Sequence, residues 1–318
     1  MRSTVLACGL ALSLGTHVHA QEFPHKPITM VVPFGAGGTT DVAARLVAQQ
    51  LALVLANPVV VENKPGASTM IAADYVARAP KDGYTLLMAA ASTLATNPHL
   101  YSKIGYKLAD FAPVSMVTKV PFVLNVSSHV PARSIEEFVT WARAQPQGVS
   151  YGTTGVGTSN HITGIVLAQA LGVKMVDVPY KGNAAANVDL IAGQTHAQLD
   201  ALAGALPLHM DGKTRILGVL DTERWPGLPN IPTFVEKGYQ AVGYSWFALM
   251  APAGTPSPVV RKLADATAKV MAMEEVKAKF LAGGQLPFPL DPEATGRFIQ
   301  TDQDRWGAVI RKAGIRLD

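Results

Sequence analysis

The sequence predicts an α/β protein of two lobes with a ligand cleft between them. Three observations carry this reading. Short apolar runs alternate with helix-period segments from Ile28 onward, the alternation comes in two separate sets, and each set contains one glycine-rich loop between a strand and a helix.

In the first set, residues 28–33 read as a strand and residues 41–55 as a helix with Val42, Leu46, Leu53 and Val54 toward a core. Residues 59–61, 70–78 and 85–89 follow as strand, helix and strand. The runs Met30-Val31-Val32 and Leu86-Leu87-Met88 are continuously apolar, as strands of a parallel sheet covered on both faces are. In the second set, Ser134-Ile135-Glu136-Glu137 matches a capping box and opens a helix to about residue 145. Residues 149–152, 174–178, 197–202 and 215–220 then read as strands separated by helical segments. Residues 111–127 and 244–252 are extended and apolar, and each is expected to pass between lobes. Two crossings make the first domain discontinuous: residues 23–121 with 245–318 form lobe 1, and residues 122–244 form lobe 2. The segments 259–273, 274–281 and 292–313 look helical and return to the first lobe.

Residues 1–20 stand outside this fold. Arg2 precedes an apolar run from Val5 to Leu14, and Val18-His19-Ala20 follows as a small-residue cleavage site, the pattern of a secretory signal peptide. A buried N-terminal helix is the alternative, but nothing amphipathic follows to pack it. The run is well short of the roughly 20 residues that cross a bilayer, so a soluble, exported, periplasmic chain beginning at Gln21 is expected. Cys8 is the only cysteine and lies inside the leader, leaving no thiol or disulfide beyond it. A lipoprotein reading of Leu6-Ala7-Cys8-Gly9 would leave too short a hydrophobic stretch for export.

The 318-residue chain is long enough for two domains, each with its own core. Its formal net charge is +4, with Lys and Arg scattered rather than clustered, which argues against nucleic acid. A mildly basic globule modestly favours anionic small molecules.

The most informative stretch is Pro33-Phe34-Gly35-Ala36-Gly37-Gly38-Thr39-Thr40-Asp41, between the first strand and the first helix. Loops at the carboxyl ends of parallel strands are where α/β proteins bind ligands. Glycines let the backbone approach a ligand, Thr39 and Thr40 offer hydroxyls, and the open helix N-terminus favours an anion. The spelling is not a dinucleotide fingerprint, because Thr40 takes the place of the third glycine. Read alone, the loop also fits a tight turn with Thr39, Thr40 or Asp41 as a helix cap. The second loop weakens that alternative: Tyr151-Gly152-Thr153-Thr154-Gly155-Val156-Gly157-Thr158-Ser159-Asn160-His161 also follows a strand and opens a helix. One cradle per lobe implies a ligand held between them, and backbone N–H groups with small hydroxyls suit a carboxylate.

These residues resemble the Bug family, the extracytoplasmic solute receptors of tripartite tricarboxylate transporters. The likeness spans nearly the whole chain beyond the leader. It includes Phe23-Pro24, Lys26-Pro27-Ile28, both loops, Val60-Val61-Glu62-Asn63-Lys64-Pro65-Gly66-Ala67 and Pro80-Lys81-Asp82-Gly83-Tyr84-Thr85-Leu86-Leu87. It continues through Asp110-Phe111-Ala112-Pro113-Val114, Val178-Pro179-Tyr180-Lys181-Gly182, Asp189-Leu190-Ile191-Ala192-Gly193 and Ala251-Pro252-Ala253-Gly254-Thr255-Pro256. The resemblance implies a type II periplasmic-binding-protein fold, two lobes that close on a ligand, and loops that bind its carboxylate partly through bridging waters. Carried onto this chain, the contacting residues are Phe34, Ala36, Gly37, Gly38, Thr39, Thr40 and Asp41 in one loop. In the other they are Thr153, Thr154, Gly155, Val156, Thr158, Ser159 and His161. Thr153, Thr154 and Thr158 stand where the family frequently has serine, and their added methyls narrow the cleft. The implied partners are a small carboxylate and the membrane permease subunits of a tripartite transporter, with the receptor itself a monomer and no cofactor. A module that presents its closed form to a signalling partner would use the same site.

An exported enzyme is the rival class, and it finds little support. No Gly-x-Ser-x-Gly or His-Glu-x-x-His spelling occurs, and Gly212-Lys213-Thr214 lacks the upstream glycine of a P-loop. His25, His99, His129, His161, His196 and His209 include no pair at i, i+4, so no metal site is expected. Ser159 and His161, two apart on a starting helix, point in different directions and make no nucleophile and base. His161 reads as a hydrogen-bonding wall of the cleft or a packed residue, and Asp41 as a first-turn acid or loop brace. Asp200, at the end of a strand of lobe 2, either faces the cleft, where it would attract an ammonium, or caps a loop. Ser92 and Thr93, just beyond the third strand, either donate to the ligand's far end or cap the next segment.

Overall fold

The computed structural model describes residues 22–180 and 182–317. The leader and its cleavage site, Lys181 and the terminal Asp318 lie outside the described residues. The described residues form ten strands and ten α-helices, largely alternating. The order is β1 (Ile28–Val32), α1 (Thr39–Leu55), β2 (Val59–Asn63), α2 (Met70–Ala77), β3 (Thr85–Ala90), α3 (Asn97–Leu100) and β4 (Phe111–Ser127). Then come α4 (Ile135–Arg143), β5 (Val149–Thr153), α5 (Ser159–Leu171), β6 (Met175–Pro179), α6 (Asn183–Ile191), β7 (Ala197–Ala201), α7 (Leu202–Met210) and β8 (Thr214–Val219). The chain ends with β9 (Tyr244–Pro252), α8 (Ser257–Ala272), α9 (Glu274–Ala282), β10 (Leu286–Leu290) and α10 (Pro292–Ala313).

The strands follow the order β2-β1-β3-β9-β4-β7-β5-β6, with β8 and β10 also paired to β4. Within it lie two parallel triplets, β2-β1-β3 and β7-β5-β6, as the continuous apolar runs predict. The sheet as a whole is mixed rather than parallel, because β4, β8, β9 and β10 all pair antiparallel. Strand β4 is shared between the halves. Its residues from Phe111 to Pro121 pair with β9, and from Phe122 onward it pairs with β7 and β8. At the changeover three segments close a backbone ring: Phe122 N–H donates to Gly243 O at 2.9 Å, Gly243 N–H to Leu220 O at 2.8 Å, and Leu220 N–H to Phe122 O at 2.8 Å.

Helix α1 corrects the expected core face in part: Leu46 and Val54 pack against the core as expected, but Val42 and Leu53 do not. Val42 and Leu53 are 54% and 72% exposed, while Ala43, Ala44, Val47, Ala48 and Leu51 are buried against β1 and β3. Small alanines at 43, 44 and 48 beside Val47 and Leu51 let the helix sit close on the sheet. Strand β10 has no counterpart in the sequence reading, because Pro287 and Pro289 argue against a strand. It survives by pairing only with β4, across an irregularity between Pro287 and Leu290. Helix α4 starts where expected: Ser134 Oγ accepts Glu137 N–H at 3.1 Å. The return bond shifts by one residue, Glu137 Oε2 accepting from Arg133 N–H rather than Ser134 N–H.

Four apolar clusters fill the layers between sheet and helices, two on the β1–β3 half and two on the β5–β7 half. Ile162, in the first turn of α5, is buried with Trp246 and Trp306 of the other half. That contact draws the start of α5, and with it the second glycine-rich loop, toward α10 and α3.

Candidate ligand-binding site

The first loop is stitched from behind by one carboxylate. Asp41 is 2% exposed; its Oδ2 accepts Gly37 N–H and Arg45 Nε–H, both at 2.9 Å, and its Oδ1 accepts Asn63 Nδ2–H at 2.8 Å. Asn63 Nδ2 also reaches Phe34 O at 3.0 Å, tying the end of β2 to the loop that follows β1. Burial works to raise the Asp41 pKa, but these donors, led by Arg45, outweigh it and hold the carboxyl below its ordinary value. The brace role is therefore the one its geometry supports, with both oxygens engaged inside the chain. Gly37 has φ 82°, a left-handed conformation that favours glycine, and open space where a side chain would stand. Gly35, Ala36, Gly37 and Gly38 are exposed, Phe34 and Thr39 half-buried and Thr40 buried. Gly38 caps α1 and no side chain bonds the first-turn N–H groups, which stay available to an anion.

The second loop repeats this construction with different chemistry. His161 Nδ1 accepts Gly157 N–H at 3.1 Å, and Gly157 has φ 80°. Accepting there fixes the tautomer with the proton on Nε2, which faces Asp177 Oδ2 at 3.9 Å. Burial lowers the His161 pKa while Asp177 pulls the other way, and the net direction is down. Asn160 Oδ1 accepts Thr154 Oγ1–H at 3.1 Å and His161 N–H at 3.0 Å, and lies within bonding reach of the Thr158 hydroxyl. Its Nδ2 donates to Leu199 O at 3.0 Å, binding the loop to β7. Thr153 is buried and its Oγ1 accepts Gly155 N–H at 3.3 Å. Ser159 is buried, Thr154, Gly155 and Thr158 are half-buried, and Val156 projects from the tip at 47% exposed. The N-cap residue Thr158 bonds none of the first N–H groups of α5, and Asn160 Oδ1 takes only that of His161. Ser159 and His161 form no nucleophile and base pair, since the acceptor nitrogen is taken by Gly157.

A third segment borders the first loop. After β2 the chain turns through Ala67, Ser68 and Thr69 with φ of 42°, 49° and 77°, three successive left-handed residues none of which is glycine. Each such residue costs on the order of 1–3 kcal/mol, so the turn is held by its surroundings. The holder is Asn97, fully buried, whose Nδ2 donates to Ser68 O at 2.6 Å and lies 3.3 Å from Thr69 Oγ1. Asn97 opens α3 directly after a π-helical turn, Ser92–Thr96, that follows β3. Within that turn Thr93 is buried with Oγ1 accepting Ala90 N–H, and Ser92 is half-buried. Asn63, Asn97 and Asn160 were not singled out as candidates, although each fixes a loop of the site.

Asp200 does not face an open cleft. Leu199 points into the cluster of Tyr151 and Phe138, so strand alternation sends Asp200 to the opposite face, beneath α6 and α7, where it has no exposure. Its Oδ1 accepts from Asn183 Nδ2 at the start of α6, and its Oδ2 has no hydrogen-bond partner among the described residues. Burial pushes its pKa up to about 7, against a smaller opposing bond from the Ala201 backbone.

Among the described residues no three His, Cys, Asp or Glu side chains gather as a metal site, and no helix is long and apolar enough to cross a membrane. A surface groove of about 380 Å3 lies between the last turn of α1 and α8. The 17-residue helix separates it by about 25 Å from the first loop, so it is no part of this site.

The chain matches the tripartite tricarboxylate transporter family receptor over residues 43–315. It is 35% identical to Protein BugT of Bordetella pertussis, the match covering 94% of this chain and 93% of that one. Among solved structures it resembles R. palustris Rpa4515 with adipate, at TM-score 0.86 and 35% identity over 93% of this chain and 100% of the other. Periplasmic binding protein BugD follows at TM-score 0.81 and 33% identity, over the same shares. MatC from Rhodopseudomonas palustris with bound malate superposes at TM-score 0.79 and 30% identity, over 91% and 100%. All share the two-lobed α/β fold of periplasmic binding proteins, and the chain belongs to the tripartite tricarboxylate transporter receptor family.

Proposed function

We propose that this chain is an exported receptor that encloses a small carboxylate between its two lobes and hands it to the permease subunits of a tripartite transporter. The observation that carries the reading is the paired loop construction. Each loop has a left-handed glycine locked by the residue four positions on, and each precedes a helix whose N-cap side chain bonds none of its first N–H groups. Two such anion-attracting ends suit one carboxylate shared between lobes. Relatives carrying adipate and malate support the same ligand class.

In this proposal lobe 1 comprises residues 23–121 and 245–318, lobe 2 residues 122–244, and the ring of Phe122, Leu220 and Gly243 is the hinge. The first-turn N–H groups of α1 and those of Ser159 and Asn160 in α5, with the hydroxyls of Thr39 and Thr40, hold the carboxylate; Asp41 and His161 brace the loops from behind, and Thr154 and Thr158 spend their protons inside the second loop. The protein works as a periplasmic monomer and catalyses no reaction. Closure follows from contacts that the ligand makes to both lobes at once.

A thermal-shift screen of mono-, di- and tricarboxylates, aromatic acids and acidic amino acids tests this. At least one acid should raise Tm by mass action and be recovered chemically unchanged. A protein that no acid stabilises, or that converts the acid to product, is not this receptor.

A further inference from the structure

Three segments that follow parallel strands of the first half are tied together by two buried or half-buried asparagines. Asn63 joins the end of β2 to the loop after β1, and Asn97 joins the segment after β3 to the Ala67–Thr69 turn after β2. The turn therefore stands on the same rim as the first glycine-rich loop, at the carboxyl ends of the strands. Gly66, just before it, has φ 128°. Glycine would also occupy the next three positions without strain, yet the chain carries Ala67, Ser68 and Thr69 there. Thr69 is inward, 3% exposed, with its hydroxyl against Asn97. Ser68 is exposed, and no hydrogen bond engages its hydroxyl among the described residues.

We infer that Ser68 is a specificity-determining residue: the left-handed turn holds its hydroxyl out to bond the end of the ligand that the two glycine-rich loops do not hold. The ligand class it selects is an acid with a second oxygen acceptor, such as a diacid or a hydroxy diacid. Asn97 is the positioning residue, since its amide fixes the carbonyl of Ser68 itself. The inference rests on the carboxylate-receptor reading and adds which end of the ligand this rim recognises.

The test uses the whole protein without its leader, as wild type, Ser68→Ala and Ser68→Gly, titrated with malate and with adipate by calorimetry, alongside ligand-free melts. The expected result is a Kd for the bound diacid raised about tenfold in both variants, the size of one lost hydrogen bond to a charged group. Ser68→Gly should do this with no fall in the ligand-free Tm, because glycine takes the left-handed conformation without strain. A residue that merely supported the fold would lose Tm along with affinity. Kd values raised less than threefold, or raised only together with a fall in Tm in both variants, overturn the inference. A wild type that binds neither these diacids nor any acid of the broader screen overturns the receptor reading as well. Binding by wild type with unaltered variants overturns the role of Ser68 alone.

Discussion

Asp41 and His161 occupy the same place in the two glycine-rich loops, each accepting the N–H of a left-handed glycine four residues earlier. The bonds are Gly37 N–H to Asp41 Oδ2 at 2.9 Å and Gly157 N–H to His161 Nδ1 at 3.1 Å. The acceptors differ in charge, so the loops respond differently to substitution. Asp41→Ala strips the acceptor from Gly37, Arg45 and Asn63 together. The loss should be at least one charged hydrogen bond, roughly 1.5–3 kcal/mol of stability by denaturant melts, and ligand affinity should fall with it. Asp41→Asn keeps one carbonyl acceptor and should cost less. Equal stability of Asp41→Ala and wild type would refute the brace.

The histidine makes the second loop sensitive to acid. Burial holds the His161 pKa below its ordinary 6.5, with Asp177 opposing, so the unfolded chain takes up the proton first. Stability is then fully present above about pH 6.5 and declines as pH falls below it. Protonation would also turn Nδ1 from acceptor to donor against Gly157 N–H. His161→Asn offers a non-titrating acceptor near the Nδ1 position, so its melts from pH 7.5 to 5 should show a shallower decline. His196 and His209, also lowered by burial, add to the decline, while Asp200, raised to about 7, opposes it, so the comparison is of the variant's slope with that of wild type. An unchanged slope would free His161 of this role.

Backbone approach and a hydroxyl are separable in the first loop. Gly37→Val forces a β-branched residue to φ 82° and should abolish carboxylate binding. Thr39→Val keeps the shape and removes one donor, so affinity should fall about tenfold if that hydroxyl meets the ligand. Calorimetry on both variants reads the outcome; wild-type affinity in both would place the ligand elsewhere.

Much of the fold was legible because its signals are local. Strand β1, the Ser134 cap and the span of α10 follow from spacing and capping within a few residues. The misreadings share a different cause. The buried face of α1 relies on three alanines beside Val47 and Leu51, and the alanines contribute closeness to the sheet rather than bulk. The residues that fix the loops act across long separations: Asn63 reaches Asp41 over 22 residues, Asn97 reaches Ser68 over 29, and Asn160 reaches Leu199 over 39. No spacing rule connects such pairs before the chain has folded. Asp200 illustrates the same limit, since its position at a strand end was readable while the face it takes depends on what α6 covers.

Lys119 and Asp221 form an ion pair at the point where β4 changes partners. Nζ lies 2.8 Å from Oδ2, the side chains are 18% and 12% exposed, and the ammonium stands 4.4 Å from the Tyr244 ring centroid. Asp221→Asn keeps an acceptor for Thr222 N–H, which Oδ1 accepts at 2.8 Å, but removes the charge. For a partly exposed pair the expected cost is about 1–2 kcal/mol, and raising salt should narrow the gap between variant and wild type. Under the proposed closure between lobes ligand affinity should shift too, since the pair ties a residue of each lobe. A variant identical in Tm and Kd at low salt would show the pair to be ornamental.

Asp200 gives the protein a stability that declines toward alkaline pH. Its carboxyl is enclosed, bonded on one side by Asn183 and unpaired on the other, and burial raises its pKa from 3.8 to about 7. A carboxyl raised in the folded state keeps its proton there while the unfolded chain gives it up. Its favourable contribution is therefore full below about pH 4 and is lost progressively as pH rises through 7. A carboxyl raised from 3.8 to about 7 corresponds to about 4 kcal/mol. Asp200→Asn retains a carbonyl for Asn183 and cannot ionise, so relative to wild type it should gain steadily from pH 4 upward and exceed it at pH 8 by several degrees in Tm. The same pair of proteins in the acid screen separates a structural carboxyl from a ligand contact. Identical ligand rankings at pH 7.5 place Asp200 behind the site, whereas a selective loss of amino acids in the variant would put it in contact with their ammonium group.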